Sequence, residues 1–382
     1  MRSGLGLKVR RGVSHQRDEV AAANELAATI ANANAALAIF FASPVYDPDR
    51  LAREVALALH PVPAIGCTTA GEIGPEGFTS DSVVGMTLEA PELRVGLGLG
   101  LNITRSAFRG GSAAVRSALQ GLEPTRASYR VGMCLVDGRS LREESFVAGL
   151  AAAAPEVPIV GGSASDELQG PPRARVFYDG EAWADCGLVA VLDSEVPLRA
   201  VKTEHMTPTA ERVVVTSAEP GERVVHELNG RPAGEVYAEL IGARGPVDNE
   251  LAGRNPFAMY VGGQPYVRSV MAVEGTSLRF ACAIDKGSVL RPMVPGDMLA
   301  ATRSALGEID RDVGGIQAMV AFNCLGRFLE SEALGTTAQI GEILASYSLI
   351  GFNTFGEQYN ALHVNHTFTA LAFGGAEGGS RG

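Results

Sequence analysis

The chain has 382 residues, 46% hydrophobic and 20% charged, enough apolar material for two or three packed cores and too ordered a composition for a disordered chain. Lys and Arg total 32 against 43 Asp and Glu, and the resulting formal charge of −11 repels phosphate backbones and anionic membrane faces, so no nucleic-acid partner is expected. The densest apolar run, AALAIFFA at 35–42, is too short to span a bilayer and no h-region follows the basic N-terminus, which predicts no membrane insertion and a cytoplasmic location.

A first helix is expected over 18–32, with Val20, Leu26, Ile30 and several alanines on one stripe that covers the N-terminal sheet. A strand follows at 35–43, a helix at 47–60, the segment IGCTTAGEI at 65–73 and a return strand at 82–90. LRVGLGLGLNI at 93–103 reads as a strand with one flat face and not a nucleotide loop, because Leu101 stands where a third glycine is required; a helix over 110–122 follows it. The earlier succession then recurs: strand 129–138, helix 140–154, VGGSASDEL at 160–168 and return strand 185–194. Strand and helix pairs are expected at 224–232 with 233–242 and at 278–285 with 295–309. A third succession closes the chain, with strand 316–324, a helical stretch 331–347, IGFNTFGEQ at 350–358 and return strand 365–374.

The three motif segments share one template: an apolar residue, a glycine, four variable positions, Gly or Asp, then Glu. A strand, a crossover helix and a second, parallel strand fit the spacing upstream of each. The return strands are expected to pair antiparallel with the motif strands. The fold class read from this is α/β, two domains built from repeated strand-helix-strand-strand units with mixed β-sheets covered by helices. The domains divide at 1–195 and 196–373, and the Gly-rich tail 374–382 is expected to be disordered.

Gly66, Gly71, Gly161, Gly351 and Gly356 sit at strand mouths, where they either close turns or present N–H groups to an anion. With them Cys67, Thr68, Gly162, Ser163, Asp166 and Thr354 form a candidate ligand-binding set, and Glu72, Glu167 and Glu357 could meet an ammonium group or cap a neighbouring N–H. Asn323, Cys324 and Arg327 follow a buried strand, the edge where α/β sheets bind ligands, and Arg327 and Arg268 are candidates for holding a carboxylate by a guanidinium fork. His363 and Asn365 complete the set; on a strand His363 and His366 point to opposite faces, so no shared metal is expected. Five scattered cysteines fit a reducing compartment, and Cys324 or Cys67 with a histidine as base leaves a thiol enzyme as an alternative.

FFAS at 40–43, IGCTTAGEI, VGGSASD at 160–166, VHELNGRPAGEVYAEL at 225–240, YVRS at 266–269, FNCLGR at 322–327, IGFNTFGEQ and HVNHT at 363–367 run in one order over most of the chain, and together they resemble the FIST sensory proteins, with an N-terminal and a C-terminal FIST domain. The resemblance implies a non-enzymatic input domain that binds a small molecule, an amino acid being the usual conjecture, with output through a separate signalling partner. No cofactor is expected, but some members of the family look like haem-based sensors, which leaves haem open with His205 or His363 as the iron ligand. Asp166, where the other motifs have Gly71 and Gly356, departs from the pattern.

Overall fold

The computed structural model describes residues 6–122, 127–167 and 171–375, so the tail expected at 374–382 lies outside the described residues from 376 onward. Three repeats and one inserted module make up the fold. The first repeat runs β1 (Lys8–Ser14), α1 (Glu19–Ile30), β2 (Leu37–Ala42), α2 (Pro48–Leu59), β3 (Ala64–Thr68), the hairpin β4 (Glu72–Gly74) and β5 (Gly77–Thr79), and β6 (Val83–Glu89). The second repeats this order with β7 (Arg94–Leu101), α3 (Ile103–Gln120), β8 (Tyr129–Asp137), α4 (Glu143–Ala153), β9 (Ile159–Ala164), the hairpin β10 (Val176–Tyr178) and β11 (Glu181–Trp183), and β12 (Cys186–Ser194).

The third repeat opens with β13 (Leu198–Thr203) and is then interrupted by the module: β14 (Met206–Pro208), β15 (Val213–Glu219), β16 (Val224–Leu228), β17 (Arg231–Pro232), α5 (Ala233–Leu240), α6 (Asn249–Gly253), β18 (Phe257–Val261), β19 (Gln264–Arg268), β20 (Val270–Glu274), β21 (Ser277–Phe280) and β22 (Val289–Pro295). It resumes with α7 (Met298–Asp312), β23 (Ile316–Cys324), α8 (Leu325–Ala333), α9 (Thr337–Ala345), β24 (Leu349–Thr354), the hairpin β25 (Glu357–Tyr359) and β26 (Leu362–Val364), and β27 (Phe368–Gly374). Helix starts follow local chemistry. The Asp18, Asp47 and Asp297 carboxylates accept from free N–H groups at the N-termini of α1, α2 and α7, and Pro48 occupies the first turn of α2.

Within each repeat the strands lie first, fourth, second, third, and the second and third are parallel across a helical crossover. The return strands β6, β12 and β27 therefore pair with β2, β8 and β23, not with the motif strands as the sequence suggested. The reason is an exchange: the outer edge of β3 takes the hairpin β10–β11, that of β9 takes β25–β26 and that of β24 takes β4–β5. Each repeat lends its hairpin to a neighbour and the cycle closes, leaving no motif strand with an open edge. The boundary at 195 falls between two repeats, yet hairpins cross it in both directions.

The inner faces of the three sheets share one apolar core, where Phe41 lies 4.6 Å from Phe352, while α1 and α2, α3 and α4, and α7 and α9 bury the outer faces in separate clusters. Several elements differ from expectation: the helix expected over 110–122 begins at Ile103, and the strand expected at 278–285 is the shorter β21, with β22 between it and α7. The charged N-terminal segment forms the edge strand β1, and the helix expected over 331–347 is two helices broken at Gly335, whose φ is +66°. The GLGLG strand packs as read: Cβ atoms on Gly96 and Gly98 would each lie 1.9 Å from a carbonyl oxygen of α3. No described helix is long and apolar enough to cross a membrane.

Candidate functional site

The three motif turns meet at one end of the shared core. Ser165 N donates to Thr68 O at 3.1 Å, Ser163 N to Gly356 O at 2.8 Å and Asn353 N to Gly71 O at 2.8 Å, so each turn is tied to another. The motif glycines serve this architecture. A Cβ on Gly66 would lie 1.7 Å from Phe40 O, on Gly161 2.0 Å from Cys134 O and on Gly351 2.3 Å from Ala321 O, each carbonyl belonging to the paired parallel strand. Gly71 and Gly356 have φ of +114° and +138°, and Gly162 is packed against Phe322 and Thr354.

The turn glutamates are internal staples. Glu72 accepts from the Thr69 hydroxyl and from Ser82 Oγ (2.6 Å) and N (3.2 Å); Glu357 accepts from Thr354 Oγ1 (2.5 Å) and from Thr367 Oγ1 (2.5 Å) and N (3.2 Å). Both are fully buried, and burial pushes their carboxyls up to about 7 and about 8. In the second repeat Glu167 is exposed, and Asp166 replaces the staple by accepting from Arg139 Nε (2.9 Å), Arg173 N (2.6 Å) and Ala174 N (3.0 Å). Thr68 is likewise used by the fold, its hydroxyl accepting from Arg175 N of the second repeat at 2.9 Å. The sequence carried a sign of these staples: Ser82 and Thr367 each stand ten positions after the turn glutamate, and Thr69 and Thr354 three before it.

Cross-strand pairs in the three hairpins break the symmetry. Beside the motif glycine the first hairpin places Ile73 with Phe78 and the second Phe177 with Ala182, whereas the third places Gln358 with His363. Gln358 Nε2 donates to Ser163 Oγ at 2.9 Å and lies 3.2 Å from His363 Nδ1; Asn365 Nδ2 lies 3.5 Å from His363 Nε2; Arg268 NH1, from β19 of the module, donates to His363 O at 3.1 Å. All four side chains are at most 4% exposed, and burial lowers the His363 imidazole to about 4, so it is neutral at pH 7. Arg268 Nε, Gln358 Oε1 and Asn365 Oδ1 are buried without a hydrogen-bond partner. The seam between module and third repeat thus brings together Ser163, Arg268, His363 and Asn365 from the sequence reading and adds Gln358, which that reading missed.

Asn323, Arg327 and their neighbours form an adjoining network. Arg327 is buried, donates from Nε to Asn323 Oδ1 at 3.1 Å and from NH2 to Thr302 Oγ1, and lies 3.4 Å by NH1 from His205 Nδ1. Asn323 Nδ2 reaches Asn353 Oδ1 at 2.9 Å. Arg327 is thus fully engaged by neutral groups in place of a carboxylate. His205 and His366 both approach Glu330 Oε2, at 2.9 and 2.6 Å.

All five cysteines are free and buried, and burial pushes the thiols of Cys67 and Cys324 up, so neither presents a thiolate. A haem on His205 would have to displace Arg327, Glu330 and His366, and on His363 it would displace Gln358 and Asn365; the residues present do not fit that group.

The family model described as FIST N domain matches residues 36–231, and the one described as FIST C domain matches 233–360. None of the curated proteins matches the chain. Among solved structures, cyanuric acid hydrolase from A. caulinodans is similar at a TM-score of 0.39 and 9% identity, over 98% of this chain and 100% of that one, a likeness too weak to bear on function. The two family models, which between them cover the chain from residue 36 to residue 360 apart from residue 232, show that the chain belongs to the FIST family.

Proposed function

We propose that this protein is a sensory input unit that binds a small carboxylate-bearing molecule in the seam between the inserted module and the third repeat, and passes the signal to a separate partner in the cytoplasm. FIST domains are small-ligand-binding sensory domains of signal transduction. The observation that carries the reading is the buried Gln358–His363 pair, which occupies positions where the other two hairpins keep the apolar pairs Ile73–Phe78 and Phe177–Ala182. Burying amide and imidazole groups with unmade hydrogen bonds costs on the order of 1–3 kcal/mol each, so the apolar alternatives serve the fold better.

The unpartnered atoms indicate what would complete them. Arg268 Nε is a donor suited to a carboxylate, while Gln358 Oε1 and Asn365 Oδ1 are acceptors suited to an ammonium group. A free α-amino acid carries both ends. Entry requires the module to part from the ring, and two short chain crossings, at 204–205 and 296–297, are its only covalent ties.

The test is a thermal-shift panel of α-amino acids, with their deaminated acids and decarboxylated amines as controls, on the wild type and on Gln358→Ile/His363→Phe. A compound that binds only the native state raises the wild-type melting temperature by an amount that grows with its concentration. The double variant is expected to fold at least as stably and to lose that response. A wild type unmoved by every compound, or a double variant that keeps the full response, overturns the reading.

A further inference from the structure

We propose that His205, Glu330 and His366 form a binding site for one divalent transition-metal ion at the root of the inserted module. The three come from separate places: His205 from the crossing between β13 and β14, Glu330 from α8, and His366 from the turn between β26 and β27. All are buried, and their ligand atoms lie within 4.8 Å of one another. Two imidazoles and one carboxylate suit borderline ions such as Zn²⁺, Fe²⁺ or Co²⁺, while Mg²⁺ and Ca²⁺ prefer oxygen alone. Such an ion holds its ligands about 2.0–2.2 Å away, which spaces the ligand atoms roughly 3–3.5 Å apart. The observed 2.9 and 2.6 Å between Glu330 Oε2 and the two Nε2 atoms need only a small side-chain expansion to admit it.

The metal-free cluster is imperfectly satisfied. Both rings converge on the same oxygen of Glu330, and His366 Nδ1 is buried with no partner. Coordination through Nε2 moves each ring proton to Nδ1. At His205 that atom faces Arg327 NH1 at 3.4 Å, so the guanidinium opposes the metal both by charge and because it needs as an acceptor the Nδ1 that must carry the ring proton. Arg327 keeps its bonds to Asn323 and Thr302 when that contact is lost.

The location gives the ion a consequence. His205 O accepts from Gly296 N at 2.8 Å, which joins the outgoing and returning crossings of the module. A metal on His205 therefore fastens both crossings to α8 and to the turn after His363, and restrains the module against the ring. This inference stands independently of which small molecule the seam takes.

The experiment titrates the metal-free full chain with Co²⁺ and then Zn²⁺, reading visible ligand-field absorption and stoichiometry by calorimetry. One Co²⁺ per chain is expected, displaced by Zn²⁺, with a raised melting temperature. Glu330→Gln and His366→Gln should weaken binding at least about tenfold, the scale at which even supporting residues act. Arg327→Met should tighten it by about tenfold or more, because it removes a neighbouring cation, an effect that a purely structural hydrogen-bonded cluster would not produce. Circular dichroism establishes that each variant is folded. No Co²⁺ spectrum in the wild type, or equal affinity in wild type, Glu330→Gln and Arg327→Met, overturns the proposal.

Discussion

Replacing Gly66 by alanine asks whether the motif glycines hold the fold or touch a ligand. The new methyl would stand 1.7 Å from Phe40 O, well inside any tolerated contact. The obstructing atom is backbone of β2, which is itself fixed between β3 and β6. Relief requires the parallel pair to part, so the cost combines overpacking, about 1–3 kcal/mol, with loss of ladder hydrogen bonds worth about 1 kcal/mol each. A loss of about 4 kcal/mol follows, a large share of the 5–15 kcal/mol by which domains are ordinarily stable. Gly161→Ala and Gly351→Ala, at 2.0 and 2.3 Å from their carbonyls, should follow in that order. Gly121→Ala is the control: its nearest atom is 3.5 Å away and its φ is −72°, so it should stay within about 0.5 kcal/mol of wild type. Urea unfolding followed by circular dichroism measures all four. If Gly66→Ala unfolds at the wild-type midpoint, the close-approach reasoning fails and a ligand role for these glycines returns.

Glu72 and Glu357, held at about 7 and about 8 in the folded chain, lie above the ~4.3 of an unfolded one, so the folded state retains protons the unfolded state has lost. Their contribution to stability is complete below the unfolded value and is lost as pH rises from about 5 to about 8; urea unfolding across that range should show the fall, and Glu357→Gln should flatten it. Arg223 NH2 meets the buried Glu143 at 2.6 Å and fastens the module to α4, so Arg223→Ala should cost about 3–5 kcal/mol by stranding that carboxylate, whereas Arg223→Met/Glu143→Leu should recover most of the loss in thermal unfolding. Iodoacetamide should leave all five cysteines unmodified in the native chain and label all five after denaturation; rapid native labelling of Cys324 or Cys67, read by peptide mass spectrometry, would reinstate the thiol chemistry.

Periodicity made the repeats legible: IQAMVAFNC at 316–324 is β23 residue for residue, and the strands 35–43 and 129–138 contain β2 and β8. Strand pairing was not legible, because a short hairpin such as Glu72–Thr79 has no local preference for its own repeat over a neighbour. The partner of β24 is chosen by an edge that lies far along the chain. The edge strand β1 was hidden by its own charges, Lys8, Arg10 and Arg11, which keep such an edge from pairing with another chain. Asp166 was visible as a departure from the template, but only Arg139 beside it explains the exchange of staples. Arg268, His363 and Asn365 were found singly; that they meet depends on where the module folds back, and no spacing in the sequence encodes it.

A ring of three like repeats also constrains where recognition can reside. Turns that carry the same glycine, the same carbonyl and nearly the same carboxylate staple in two or three places cannot distinguish one small molecule's ends, because each would be met by equivalent groups. An asymmetric ligand needs an asymmetric site. The third repeat supplies it twice over: its hairpin exchanges an apolar cross-strand pair for Gln358 and His363, and its first strand is followed by the module that brings Arg268 against the same hairpin. The donor thus comes from the module and the acceptors from the ring, so a molecule bound by both is stabilised only while the two are together. If the proposed ligand binds in this seam, its binding is coupled to the angle of the module, and that angle is the quantity the proposed separate partner would read.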